Sequence, residues 1–147
     1  MELAERVLDA DGSLPLQSRH DCPWTHLMTI AYWITAALLA LFYLYAGGLK
    51  LIRSREQLRP MMAWVDDTPM RAVRAIGAVE VLGALGLILP PLTDIAPRLA
   101  LAAAVGFVVL QLGAGWVHLR RGERQVGLNV GLVVAAGVTV WLGAAWL

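Results

Sequence analysis

The sequence predicts an all-α protein, an up-down bundle of four transmembrane helices in a lipid bilayer. Hydrophobic residues make up 59% of the 147 residues and charged residues only 16%, whereas soluble domains average about a quarter charged. The charges gather in a few short segments, and long apolar tracts separate them. A helix that spans a bilayer needs about 20 mostly apolar residues, and the apolar tracts provide four segments of that length.

Residues 1–26 form a polar N-terminal tail ahead of a membrane domain at residues 27–147. The tail does not have the basic start and apolar core of a signal peptide. Trp24, near its end, is expected to lie at the membrane surface, because amphipathic rings favour the interface between lipid and water.

Prolines and a capping residue help to place the ends of the spans. Thr68 is placed to cap the second span, and Pro69 suits its first helical position. Pro90 and Pro91 should end that span, because proline lacks an N–H and its ring clashes with the preceding turn. Short turns join the last three spans, which predicts antiparallel neighbours. The predicted spans are residues 29–52, 69–90, 97–119 and 126–147.

The connection between the first two spans is longer than the other connections. Its segment "REQLRPMMAWV", which starts at Arg55, has a basic side and an apolar side. Such a pattern fits a short helix that lies in the membrane interface. A plain loop explains the segment equally well, and the sequence leaves both alternatives open.

The basic residues predict how the bundle is oriented. Nine lie on the side of the loops that follow spans one and three, and three lie on the other side. Cytoplasmic loops carry the excess of lysine and arginine, so loops 53–68 and 120–125 are predicted to be cytoplasmic and both termini outside. We expect the bacterial inner membrane as the location. The nine are Lys50, Arg53, Arg55, Arg59, Arg71, Arg74, Arg120, Arg121 and Arg124; the three are Arg6, Arg19 and Arg98.

Five polar side chains within the spans are the candidate functional residues. They are Lys50, Glu80, Gln111, His118 and Asn129. At about 1.5 Å of rise per residue, all five fall in the half of the bundle next to the basic loops. The sequence therefore predicts a polar pocket in the cytoplasmic half of the membrane domain.

The neighbours of these residues on the helix surface suggest that they point inward. Glu80 shares a stripe with Gly77 and Gly83, and Lys50 shares one with Tyr43. Small residues let membrane helices approach closely, so such faces are expected to contact another helix.

Span four has a stripe of small residues that does not include its polar side chain. The stripe consists of Gly127, Gly131 and Ala135, and Asn129 lies off it. We expect Gln111 and Asn129 to form hydrogen bonds between helices. The inward placement of Asn129 has the weakest support of the five.

Glu80 is the candidate that most needs an explanation. An ionised carboxylate that faces lipid is costly, so Glu80 should face the bundle, with Lys50 as its first expected partner and His118 as its second. Membrane carboxylates usually serve a function. The alternatives stay open: the pair could simply fix the helix register, Lys50 could extend to the surface, and His118 could rest at the headgroups.

Three segments resemble the DoxX-like family of small four-helix membrane proteins. They are "AGGLKLI" at the end of span one, "GAVEVLGALGLILP" in span two and "HLRRGE" after span three. Their order and spacing carry the resemblance, which covers about residues 33–141. The family's lysine, glutamate and histidine fall on Lys50, Glu80 and His118 of this chain.

The resemblance implies a redox role, since some relatives are membrane subunits of thiosulfate:quinone oxidoreductase or partners in redox-stress assemblies. On this reading a quinone binds in the cytoplasmic half. Glu80 and His118 carry protons there, and Lys50 stabilises the anionic oxygen. The chain has one cysteine and no haem or flavin motif. Any electron transfer therefore needs a bound quinone or a redox partner subunit.

Two other functions remain open, and the sequence does not decide whether the protein is an enzyme. It could be a non-catalytic protein that binds a lipid or small molecule, or a scaffold for a partner complex. It could also be a cofactor-free isomerase or cyclase that acts on an isoprenoid lipid, with a protonated Glu80 as the acid. A homo-oligomer is compatible with each reading. The net charge of +1 gives no reason to expect nucleic-acid binding, and no motif predicts a metal site.

Overall fold

A computed structural model describes residues 23–123 and 127–146, and all regular elements within these residues are helical. Residues 1–22 of the predicted tail, residues 124–126 and residue 147 lie outside the described residues. Four of the helices are long and apolar enough to cross a membrane, which confirms the all-α four-helix bundle. The helices are α1 (Pro23–Ile52), α2 (Arg55–Leu58), α3 (Met70–Thr93), α4 (Arg98–Arg120) and α5 (Gly127–Trp146), with a 3₁₀ helix at Ala63–Asp67.

The four long helices pack in a ring, in which α1 contacts α3 and α5, and α4 contacts α3 and α5. Aromatic and aliphatic side chains fill the centre, among them Tyr32, Leu39 and Phe107. Large apolar side chains such as Leu38 and Leu82 point outward and are mostly exposed. An exposed apolar surface of this kind suits contact with lipid rather than with water.

Charge divides the bundle into two ends. We call "the basic end" the one formed by the C-termini of α1 and α4, the N-termini of α3 and α5 and the connection at residues 53–68. The opposite end has Arg98 as its one lysine or arginine among the described residues. Which end faces the cytoplasm stays a prediction.

The prolines do not end α3 where the sequence suggested. The helix continues through Pro90 and Pro91 to Thr93, and Asp94 follows in the left-handed conformation with φ 56°. A proline at residue 91 cannot donate to the carbonyl of Leu87. The buried Tyr32 hydroxyl of α1 donates to that carbonyl instead, at 3.2 Å. The bundle thereby replaces a hydrogen bond that the prolines remove, and the helix extends beyond its predicted end.

The start of α3 also differs from the prediction. Pro69 takes the N-cap position, and the side chain of Thr68 does not cap the helix. The Thr68 hydroxyl donates to the carbonyl of Trp64 at 3.1 Å. Thr68 therefore closes the end of the 3₁₀ helix rather than the start of α3.

The long connection forms two short helical segments, α2 and the 3₁₀ helix, so it is not a plain loop; a position in the membrane interface stays a prediction. Leu58, Val65 and Val73 are fully buried in a small apolar cluster of their own. The Arg55 guanidinium donates to the carbonyls of Asp66 and Thr68 at 2.9 and 3.0 Å. The apolar side predicted for this segment thus packs against protein at the basic end.

Candidate functional site

The centre of the candidate site is a buried ion pair between α1 and α3. The Lys50 ammonium donates to both carboxylate oxygens of Glu80, each at 2.6 Å. Lys50 is 5% exposed and Glu80 is 3% exposed. The inward direction of both residues and their pairing, expected from the sequence, are confirmed. Their part in any chemistry stays a prediction.

Two glycines bring the backbones of α1 and α3 together at this pair. A Cβ at Gly47 would lie 2.7 Å from the carbonyl oxygen of Gly77, and a Cβ at Gly77 would lie 2.8 Å from that of Gly47. Each glycine also contacts the charged residue of the other helix, since Gly47 faces the Glu80 Cβ and Gly77 faces the Lys50 Cβ. Each charged residue lies one turn along from its own helix's glycine. The close crossing therefore positions the ion pair.

The two charges depend on each other because both are removed from solvent. Each ion loses several kcal/mol of hydration on burial, and attraction in a low-dielectric site returns it only when the geometry is good. The short contacts to both carboxylate oxygens provide that geometry. Either charge would therefore destabilise the folded protein if it were buried without the other.

A second polar contact lies deeper in the bundle and joins α1 to α4. The Gln111 amide donates to the Tyr43 hydroxyl at 2.9 Å. Tyr43 precedes Lys50 by two turns on α1, or about 10 Å along the axis. The Tyr43 ring stacks on Phe107 with centroids 3.7 Å apart and planes within 4°. Gln111 thus forms the expected hydrogen bond between helices, with Tyr43 as its partner.

Gly83 provides the space for this stacked pair. A Cβ at Gly83 would lie 2.8 Å from the Phe107 ring. Both of the glycines predicted to line the site, Gly77 and Gly83, therefore contact another helix. Because these two positions have no side chain, Lys50 and Phe107 can pack close to the backbone of α3.

Two buried amide groups keep an unpaired atom. The Gln111 Oε1 and the Asn129 Nδ2 have no hydrogen-bond partner among the described residues. Asn129 is 8% exposed, so its side chain lies inside the bundle. A buried polar atom without a partner is unusual in a native structure, because such groups almost always form a hydrogen bond.

The small stripe of α5 was expected to contact another helix; Ala135 packs against the core, but the expectation is wrong for the two glycines. Gly127 and Gly131 are exposed, and a Cβ at either would meet open space. The buried face of α5 is the one that includes Asn129, Leu132 and Thr139. Ala136 on this face is fully buried as well, so the size of the residues does not separate the two faces.

His118 does not join Glu80. Its Nδ1 pairs with the carboxylate of Glu123 at the basic end, and the Arg121 Nε donates to the same carboxylate at 2.6 Å. The hydrogen bonds from Arg121 and then His118 lower the pKa of the Glu123 carboxyl. The structure therefore assigns the histidine of the proposed catalytic set to a separate ionic group near the membrane surface.

The turn after α4 explains this pairing. Gly122 has φ 67°, and the amides of Gly122 and Glu123 bond back to the carbonyls of Leu119 and His118. This is a Schellman motif, which reverses the chain at a helix C-terminus. It returns Glu123 to His118. The glycine before Glu123 in "HLRRGE" was the available sequence signal for this partner.

Apolar side chains line the groove between α3 and α4. The groove has a volume of about 310 Å³, and the exposed Val79 and Leu82 at its rim lie on the outer surface of the bundle. A second groove, at the basic end, has a volume of about 280 Å³. Neither of these two grooves is lined by Lys50, Glu80 or Gln111, so the polar pocket at these residues stays a prediction. The lining of the first groove is Val79, Leu82, Gly83, Ala103, Gly106, Phe107 and Leu110.

Comparison with known proteins identifies a family for this arrangement. The family model of the DoxX-like family matches residues 34–146, which include every helix that can span the membrane in whole or in large part. No curated protein and no solved structure matches the chain. The described residues contain no group of three or more histidine, cysteine or acidic side chains that could hold a metal ion.

Proposed function

This chain belongs to the DoxX-like family, and from that premise we propose that it binds a quinone and serves quinone-linked redox chemistry in the membrane. It acts either as the oxidoreductase or as the membrane subunit of a redox complex. The buried Lys50–Glu80 pair carries the proposal. Ionisable groups at membrane depth are rare and commonly belong to proton pathways or ligand sites.

The groove between α3 and α4 suits the apolar tail of a quinone. It is open to lipid, and the Phe107 ring and Gly83 form part of its lining. Phe107 is stacked on Tyr43, and Gln111 lies one turn further along α4 with its Oε1 unpaired. A quinol hydroxyl near this layer would find a hydrogen-bond acceptor there.

The charged residues supply acid–base chemistry rather than electrons. Glu80 would take up or release the proton that accompanies quinone reduction, and Lys50 would stabilise the negative oxygen. His118 and Glu123 lie at the basic end, where protons can enter from water. The chain has a single cysteine and no haem or flavin motif, so the electrons come from a partner subunit or a small reductant.

The first test is native mass spectrometry of protein gently extracted from its own membrane, with lipid analysis of the released molecules. We expect a bound quinone. A bound isoprenoid lipid without quinone would move the assignment to lipid binding or isomerisation. An empty bundle with a co-purifying protein would make the chain a structural subunit.

The second test measures spectral reduction of added quinone by membranes supplied with thiosulfate. Glu80→Gln should keep bound quinone and lose most of the reduction, because glutamine cannot exchange a proton. Glu56→Gln is the matched control, since it removes an exposed carboxylate of the connection at residues 53–68. Equal activity in both variants, or no activity with the native protein, would contradict the redox proposal.

The geometry of the ion pair itself favours a second candidate, a non-catalytic scaffold or lipid-binding protein. Both oxygens of Glu80 are occupied by Lys50, and the backbones meet directly beside them. On this reading the pair fixes the register of α1 and α3. Glu80→Gln would then weaken folding and leave no turnover to lose.

A further inference from the structure

The groove at the basic end is separate from the buried polar layer. It lies between the 3₁₀ helix and the last two turns of α4, and its volume is about 280 Å³. Its lining includes one arginine and two tryptophans, namely Arg120, Trp64 and Trp116. The remaining lining residues are Asp67, Thr68, Val117 and Arg121.

Ionic contacts join the two walls of this groove. Arg121 at the end of α4 pairs with Asp67, and its guanidinium also reaches the carbonyl of Ala63 at 3.4 Å. Its Nε donates to Glu123. The donors of Arg121 are therefore engaged, and the groove is preformed without a ligand.

Arg120 is different, because it has no carboxylate partner among the described residues. Its guanidinium lies 5.5 Å from the centroid of the Trp116 ring. The indole N–H groups of Trp64 and Trp116 likewise have no acceptor in the part of the chain that the structure describes. Asp67 and Glu123 both pair with Arg121, so Arg120 is the cation of the lining that no carboxylate of the described residues neutralises. One cation and two N–H donors are thus available to an anion.

We propose that this groove binds the phosphate of an anionic glycerophospholipid from the surrounding membrane. The Arg120 guanidinium makes charge-assisted hydrogen bonds to the phosphate, and the indoles add N–H donors. Tryptophan and arginine meet headgroups at this level of a bilayer. Val117 and the exposed Leu112 of α4 offer apolar surface to the acyl chains. A lipid satisfies both the charge and the apolar surface, whereas free phosphate satisfies only the charge.

The test uses full-length protein in nanodiscs that contain equal amounts of phosphatidylglycerol and phosphatidylcholine. Native mass spectrometry then counts the lipids that stay bound after release. Arg120→Gln should retain about fivefold less phosphatidylglycerol, since one arginine near the membrane surface contributes about a fivefold preference for an anionic lipid. Arg98→Gln is the matched control, because Arg98 is an exposed arginine at the other end of α4. It should retain the native amount.

Two further arms make the result specific. Trp64→Phe keeps an aromatic side chain but removes the indole N–H. It should therefore lower phosphatidylglycerol retention and leave phosphatidylcholine retention unchanged. Inorganic phosphate at the same concentration should not raise the thermal midpoint of the protein in detergent, whereas short-chain phosphatidylglycerol should. Equal loss in Arg120→Gln and Arg98→Gln would overturn the proposal. Equal retention of phosphatidylglycerol and phosphatidylcholine by the native protein would also overturn it. A rise in the thermal midpoint with inorganic phosphate would do the same.

Discussion

The crossing of α1 with α3 and the outer face of α5 use glycine in opposite ways. At the crossing, Gly47 and Gly77 touch the backbone of the other helix. On α5, Gly127 and Gly131 face open space. Both segments show the spacing of small residues that allows membrane helices to approach. The difference is that the α1–α3 crossing also has a charge on each helix, one turn beyond the glycine. Of these two stripes of small residues, the one beside the buried ion pair is the one whose glycines contact another helix.

The largest effect is expected from separating the two charges. Lys50→Met should destabilise the protein by about 3–5 kcal/mol, because it leaves the Glu80 carboxylate buried without a partner. The double variant Lys50→Met with Glu80→Leu should recover most of the loss, since two apolar groups replace the pair. Unfolding in a detergent titration measures both. Additive losses in the double variant would show that the two residues do not act as a unit.

The glycine comparison gives the next largest effect. Gly77→Ala should destabilise by about 1–3 kcal/mol, because the added methyl group meets the Gly47 carbonyl and the Lys50 side chain. Gly131→Ala on α5 should be neutral or slightly stabilising, since alanine favours a helix and nothing lies in its way. The same detergent titration compares the two variants. A similar loss at Gly131 would reveal a contact on α5 that the isolated chain does not have.

The contact between Tyr43 and Gln111 should contribute less than the ion pair. Tyr43→Phe keeps the ring stacked on Phe107 and removes the hydroxyl that accepts from Gln111. Hydrogen bonds between membrane helices average about 0.6 kcal/mol and reach about 1.7, so the loss should fall in that range. Tyr45→Phe is the control, because Tyr45 is 61% exposed. If both variants unfold alike, the buried hydrogen bond makes no measurable contribution.

The smallest effect is a pH dependence at the basic end. Arg121 and His118 lower the pKa of Glu123 below its ordinary value of 4.5. A carboxyl whose pKa is lowered in the folded state stabilises that state above the unfolded pKa. This contribution is lost as the pH falls from 4.5 through the lowered value.

Thermal midpoints of the native protein and Glu123→Gln, measured from pH 6 downward, provide the check. The thermal midpoint of the native protein should fall on acidification as Glu123 is protonated. Glu123→Gln does not have this carboxylate, so its thermal midpoint should not show this part of the fall. Because Glu123 is on the surface, salt should reduce the difference between them. Parallel pH curves for the two proteins would contradict the role of Glu123.

The sequence predicted much of this site because burial at membrane depth is a demanding constraint. Glu80 had to face protein, and Lys50 was the cation nearest in depth. His118, expected as the second partner of Glu80 or at the headgroups, pairs with Glu123, because the turn at Gly122 brings Glu123 back to it. The sequence did not predict the partner of Gln111, since Tyr43 lies 68 residues away. The sequence of a single helix does not determine how that helix is rotated relative to its neighbour.

Length and charge alone determined that this chain forms four spans, because a bilayer sets the length of an apolar helix and excludes unpaired charge. They also determined that the polar groups would gather near the basic loops. The tertiary structure decided which small residues contact another helix, and that the Tyr32 hydroxyl donates to the Leu87 carbonyl that Pro91 leaves without its helical partner. Those outcomes depend on contacts between helices far apart in sequence, where the alternatives differ in packing and not in composition.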